Sequence, residues 1–412
     1  MEKKVLLHMG KESGRVSHIM EDFNLPLDRD ILQLQDHVIR HRRWLHRHPQ
    51  TGFREEDARD YILRALRGMH FDRITVLAGT GIKAVLRGTC PVRTLAFRAD
   101  MDALAVPEKT GLEFASEYDG FMHACGHDGH MAMLLGFAQW LSENRDRLKD
   151  NVVLLFQPSE ESVGGASPMI REGALDDPEV DAIFGYHIMP EVPQGKVGLK
   201  AGPLMASTCE FGIDIMGKSA HGAMPQKGID AILAASYYIT MLQGILTRKV
   251  DPLSQALITV GKLEAGQARN VLASRAHMEG ILRTFDSRVA ESVKHDMMDL
   301  LAGLERSFGV TTDFRDLVYY PPVVNDPEWT ARVKEILPGG MFYPAHPLMI
   351  AEDFAWYQQK VPGVFLFLGS RNEELGYIHP LHSDRFQFDE EILLTGIQLD
   401  KNILLGLGGI VE

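Results

Sequence analysis

The chain has 412 residues, too many for one ordinary hydrophobic core, so two domains are expected. Its composition, 45% hydrophobic and 24% charged, is that of a globular protein. The net charge of -13 excludes nucleic acid and anionic membrane as partners, since either needs a basic surface.

Three cysteines, Cys90, Cys125 and Cys209, suit a reducing compartment rather than a disulfide framework. No signal-peptide core and no bilayer-length apolar run is seen, so cytoplasm is the default location. Residues up to Asp28 read as an extension without an assigned role. A helix is expected from Leu27-Asp28 through Trp44 and a second from Glu55 to Gly68, each with apolar residues at helical spacing. A strand–helix rhythm follows: strand Val92–Arg98, helix Gly129–Asn144, strand Val152–Gln157, short helix Gly165–Gly173 and strand Ala182–His187. Near-continuous apolar strands between helices predict a mostly parallel sheet.

From Pro203 to Tyr320 the texture changes. Strand Glu210–Gly217, helix Ile229–Leu246, strands Gln255–Leu263 and Arg275–Phe285, helix Val289–Phe308 and strand Thr311–Tyr319 give the order βαββαβ, which is ferredoxin-like. Strand Gly363–Gly369 and helix Asp389–Leu405 return to the first texture. The expected architecture is an α/β catalytic domain with a mostly parallel sheet (27–202 plus 321–412), interrupted by an inserted ferredoxin-like α+β domain (203–320).

The chemistry concentrates in His123-Ala-Cys125-Gly-His127-Asp128-Gly-His130. Extended spacing would put residues 123, 125 and 127 on one side, letting Cys125 and His127 face a common ion, with Asp128 as a helix N-cap. Glu160 and Glu161 follow an apolar strand, and two adjacent carboxylates repel unless a metal takes one and leaves the other as a general base. His187 and the Arg98-Ala-Asp100-Met-Asp102 run end two further strands, so three groups lie where open α/β sheets place their ligands. Gly212–Ser219 matches a phosphate-binding loop letter for letter, but its interior alternates like a strand and no apolar helix follows. It is dismissed.

These segments, with His46-Arg-His48-Pro49, Gly217-Lys-Ser-Ala-His221-Gly-Ala-Met-Pro225, Ala351-Glu-Asp-Phe354 and Leu381-His-Ser383, resemble the aminoacylase/carboxypeptidase-type dinuclear metallopeptidases. The branch resembled is that of hippurate hydrolases, N-acyl-amino-acid amidohydrolases and auxin-conjugate hydrolases, over about residues 30–405. The resemblance implies hydrolysis of N-acyl amino acids by two divalent ions per subunit, held by Cys125, His127, Glu161, His187 and His382. It implies Glu160 as general base, Asp102 as the carboxylate that orients a ligand, and His221 reaching a partner subunit's site to polarise the carbonyl. Asn270 and Arg283 become candidates for the substrate carboxylate, and the inserted domain the site of a homodimer. Cys and His suit zinc, and the carboxylates leave manganese, cobalt or nickel open. Pro49-Gln-Thr-Gly-Phe-Arg54, Asn270-Val-Leu-Ala273 and Ile350 depart from the usual pattern, which bears on the substrate pocket and not on the ligands. A dipeptidase or carboxypeptidase is the alternative within this class. A Cys125 nucleophile and a non-catalytic scaffold with a structural zinc are the rivals outside it.

Overall fold

The computed structural model describes residues 27–411, so the expected N-terminal extension lies outside it. Contacts divide the described residues into a first unit (27–202, 325–346 and 356–411) and a second (203–324 and 347–355). The segment 347–355 joins the second unit because Leu348 exchanges backbone hydrogen bonds with Leu204 and Ala206.

In chain order the strands are β1 (Arg73–Leu77), β2 (Gly81–Leu86), β3 (Thr94–Asp100), β4 (Asn151–Gln157), β5 (Ala182–Pro193), β6 (Val197–Leu199) and β7 (Gly202–Met205). They continue as β8 (Ser207–Met216), β9 (Ala256–Ala265), β10 (Arg275–Thr284), β11 (Thr311–Tyr320), β12 (Val323–Asn325), β13 (Phe342–Pro344) and β14 (Gly363–Arg371).

The first unit holds the eight-stranded sheet β1-β2-β4-β3-β5-β14-β6-β13. Its centre is parallel, with β3 between β4 and β5 and β5 beside β14. β1–β2, β2–β4 and β14–β6 pair antiparallel. Leu95, Phe97, Val152, Leu154, Ala182 and Phe184 pack into one core, and the alternate residues Ala96, Val153, Leu155 and Ile183 are equally buried. Burial of both strand faces is why these strands read as continuous apolar runs. The helix His127–Glu143 lies over β3 and is packed by helices Gln35–Arg47 and Ile392–Gly406. The expected first helix is broken, as a short turn Arg29–Leu32 followed by Gln35–Arg47.

The second unit is a four-stranded antiparallel sheet ordered β11-β8-β10-β9. Phe211, Ile213, Ala276 and Met278 meet Ala234, Tyr238, Val293 and Met297 of helices Ala231–Arg248 and Ser287–Phe308. With the intervening helices this is the ferredoxin-like order. Gly212 to Met216, in the dismissed phosphate-loop match, runs inside β8.

Gly136 sits where the helix His127–Glu143 is crossed by its neighbours. A Cβ there would lie 2.4 Å from Ile397 Cδ1 and 2.7 Å from Val38 Cγ2. Alanine gains about 1 kcal/mol of helix propensity over glycine, but overpacking costs about 1–3 kcal/mol. Gly136→Ala is therefore expected to lower the urea midpoint; a raised midpoint would mean the helices separate at little cost.

Candidate metal centre

The carboxyl ends of β4 and β3 lie beside the middle of β5, with Asp100 in register with Gln157 and Arg98 with Gly185. β5 runs on to Pro193, so His187 lies within the strand and not at its end as expected. β3 therefore delivers Asp100 and then Asp102, β4 delivers Glu160 and Glu161, and β5 carries His187. Cys125 lies in a turn, and His127 opens the helix His127–Glu143 after Gly126, whose φ of 87° is left-handed. Glycine adopts that conformation without the Cβ clash that penalises other residues. It puts Cys125 and His127 together at the helix mouth, by a turn and not by the extended spacing expected. His382, also at positive φ (65°), is tied in by its N–H, which donates to the Ala124 carbonyl at 2.9 Å.

Around this point Cys125 Sγ lies 3.2 Å from His187 Nε2 and 3.4 Å from His382 Nε2. Glu161 Oε1 is 3.1 Å from His382 Nε2 and 3.9 Å from His127 Nε2. Two tautomers follow from their partners, because a carbonyl can only accept. His187 Nδ1 donates to the Ile188 carbonyl (2.6 Å) and His127 Nδ1 to the Asp102 carbonyl (2.8 Å). Each Nε2 is left with a lone pair, and His127 Nε2 is buried without a hydrogen-bond partner. A thiol, three imidazoles and a carboxylate meeting with an orphaned nitrogen fit transition-metal cations.

The electrostatics agree with this fit. Burial, then Glu161 and Glu160, push the Cys125 thiol well above its usual range. Burial alone would lower His127, but Asp100, Asp102 and Glu161 push it up to about 10. Burial, then His130, lower His187 to about 3. The acidic side of the cluster thus favours a positive charge, which a cation supplies and which favours the thiolate.

A second ring of residues fixes the first. The Asp102 carboxylate accepts the N–H groups of both Glu160 (2.9 Å) and Glu161 (3.0 Å), while its own carbonyl holds His127. Ile188 N–H donates to His130 Nε2 at 2.9 Å, so His130 carries its hydrogen on Nδ1 and donates to Asp100 at 2.6 Å. Arg98 in turn donates to Asp100 at 2.7 Å. The Ile188 backbone, next to His187, is thereby held through both its N–H and its carbonyl. Sequence reading had grouped Asp100 and His130 with the candidates without these roles; the period-two spacing of Asp100 and Asp102 at a strand end was the available signal.

Asp128 is not the helix N-cap; Gly126 occupies that position. The Asp128 carboxylate accepts from Arg42 Nε (3.1 Å) and His46 Nδ1 (2.9 Å), and His46 Nε2 lies 3.2 Å from Glu108. His221, Asn270 and Arg283 all belong to the second unit. His221 and Asn270 are exposed neighbours, joined by Gly222 N–H donating to the Asn270 carbonyl at 2.8 Å. Arg283 is half-buried on β10, apart from that turn in sequence, with one guanidinium nitrogen lacking a hydrogen-bond partner.

The class that this fold and donor set define is a metal-dependent hydrolase of amide bonds. The model of peptidase family M20/M25/M40 matches residues 96–405, and the chain belongs to that family. It is 37% identical over 378 residues to thermostable carboxypeptidase 1 of Saccharolobus solfataricus, covering 90% of this chain and 95% of that protein. It is 38% identical over 364 residues to N-acetyl-L-cysteine deacetylase of Bacillus subtilis, covering 88% and 86%. The solved structure of Bacillus subtilis YXEP, a dinuclear metal-binding peptidase of the M20 family, superposes with a TM-score of 0.79 at 34% identity, covering 92% and 99%.

Burial would lower the pKa of His46, but facing Asp128 and Glu108 push it from 6.5 up to about 9. The folded value exceeds the unfolded one, so this contribution to stability is complete below pH 6.5 and drains as pH rises through about 9. Melting temperatures of the parent should fall across that window more steeply than those of His46→Gln; parallel curves would remove His46 from the linkage.

Proposed function

We propose that this protein is a dinuclear amidohydrolase that splits small N-acyl amino acids into a carboxylic acid and a free amino acid. The observation that carries this reading is the meeting of Cys125, His127, Glu161, His187 and His382 beside Glu160 in the first unit. The N-acetyl-L-cysteine deacetylase relative points to the acyl amino acid. The carboxypeptidase relative supports the second reading, a metallocarboxypeptidase or dipeptidase acting on a short peptide.

Cys125, His127, Glu161, His187 and His382 would hold two divalent ions, which when bound would supply Lewis-acid polarisation of the carbonyl and offset negative charge. Zinc matches the thiol and imidazoles; manganese, cobalt and nickel match the carboxylates. Zinc or manganese is our proposal. Glu160, mostly buried, takes a proton from the attacking water and returns it to the leaving nitrogen. Asp102 sets the backbone of Glu160 and Glu161 and the ring of His127 through the bonds given above. Asn270 and Arg283 are proposed to receive the substrate carboxylate, where the planar guanidinium suits a bidentate contact. His221 is proposed to reach the carbonyl in a partner subunit's site.

An acidic, buried surround is the opposite of what a nucleophilic cysteine requires, which favours Cys125 as a ligand. The second unit is proposed as the homodimer interface and lid: Ile232, Leu233 and Tyr237 are each about half exposed on one helix, and β9 is an edge strand. Cytoplasmic residence is proposed from three free cysteines. Among the described residues no helix is long and apolar enough to cross a membrane.

The test is metal content with hydrolysis of N-acetyl-methionine and hippurate, before and after chelator, for the parent and Glu160→Gln. Near two metals per chain, chelator-sensitive release of amino acid, and a Glu160→Gln variant with normal metal but no turnover are expected. Lost metal in that variant would make Glu160 a ligand, and activity without metal would return Cys125 to the nucleophile's role. For the interface, light scattering should give a dimer for the parent and a monomer for Ile232→Glu combined with Tyr237→Glu. A monomeric, fully active parent would defeat both the dimer and the trans role of His221.

A further inference from the structure

Ser159, Glu160 and Glu161 are three consecutive residues whose backbone N–H groups point at carboxylates. Asp102 takes two of them, as described. The third, Ser159 N–H, donates to Glu55 Oε1 at 2.9 Å. Glu55 lies just ahead of the helix Glu56–Arg67 and is fully buried. Its other oxygen accepts from Thr80 Oγ1 at 2.7 Å, so the carboxylate is fixed from both sides.

The turn it grips is a strained one. Ser159 has φ of 58°, a left-handed conformation that a residue with a side chain adopts only when its surroundings impose it. The chain ahead of Glu55 presses on the same turn. A Cβ on Gly52 would lie 2.6 Å from Ser159 Oγ and 2.4 Å from Ser162 Oγ, so a larger residue there would push on both serines. The Gln50 carbonyl accepts the N–H of Ala103 at 2.8 Å, tying the same segment to the residue after Asp102. Residues 50–55 thus connect the two carboxylates that shape the turn.

From this arrangement we infer that Glu55 is a positioning residue for the reaction: it holds the Ser159 peptide in the left-handed conformation that sets where the Glu160 and Glu161 side chains start. The inference rests on the reading of Glu160 as general base. A buried glutamate without such a task would be a costly substitute for a hydrophobic residue.

The experiment compares metal-loaded parent, Glu55→Ala and Glu55→Gln on N-acetyl-methionine, with metal content measured in each. A displaced base lowers turnover rather than binding. So Glu55→Ala is expected to lose on the order of 100-fold in kcat, with KM nearly unchanged and two metals still bound. Glu55→Gln keeps an acceptor oxygen for Ser159 N–H and is expected to recover most of the loss. Hydrogen exchange of the segment 158–162 should quicken roughly tenfold in metal-free Glu55→Ala. Should Glu55→Ala not fold, Glu55→Asp, which withdraws the acceptor by one methylene, must show the same kcat loss. Parental kcat in the alanine or aspartate variant, equal losses in the alanine and glutamine variants, or unchanged exchange would overturn the inference. An inactive parent would instead overturn the reading of Glu160 itself, and the inference with it.

Discussion

Burying several carboxylates around one point is unfavourable unless each meets a donor or a cation, and the first unit is organised around meeting that demand. Asp102 is answered by two backbone N–H groups, Asp100 by Arg98 and His130, and Asp128 by Arg42 and His46. Glu161 is left facing imidazoles and a thiol, where a proton can sit and a divalent ion fits better. The parallel sheet makes this feasible by ending β3 and β4 beside the middle of β5, so that groups far apart in sequence share a small volume.

The precision of the cluster comes from backbone groups as much as from side chains. His127 and His187 are oriented by carbonyl oxygens, and Glu160 and Glu161 by their own amides. Peptide groups within a sheet or at its edge cannot drift as exposed side chains do, so donors set by them keep their aim without a bound ion. Placing general base and ligand on adjacent residues of one gripped turn gives both side chains their starting points from the same backbone.

Much of this was legible in the sequence because composition and period carry it. The central strands read as apolar runs because both faces are buried, and the βαββαβ order of the second unit followed from the switch to alternating patterns. Cys125, His127, Glu160 and Glu161 stood out by density of polar groups beside apolar runs. β1, β2 and the short strands escaped because five or six residues without clear alternation resemble loops. Asp128 was misplaced as a cap because its real partners, Arg42 and His46, lie more than eighty positions away. Glu55 carried no signal at all: as the first of three consecutive acids, Glu55-Glu56-Asp57, it looks like part of an ordinary acidic first turn, and only its contact with Ser159 distinguishes it.

The insertion of the second unit between residues 202 and 325 has a consequence for biosynthesis. Cys125 meets His382 across 257 positions. On a ribosome the thiol, His187 and both glutamates emerge long before the last imidazole, and the second unit is complete before the first can close. Loop closure over such a span adds little equilibrium cost but postpones the event. The full set of donors can therefore assemble only after His382 has been synthesised, long after Cys125, His127, Glu161 and His187.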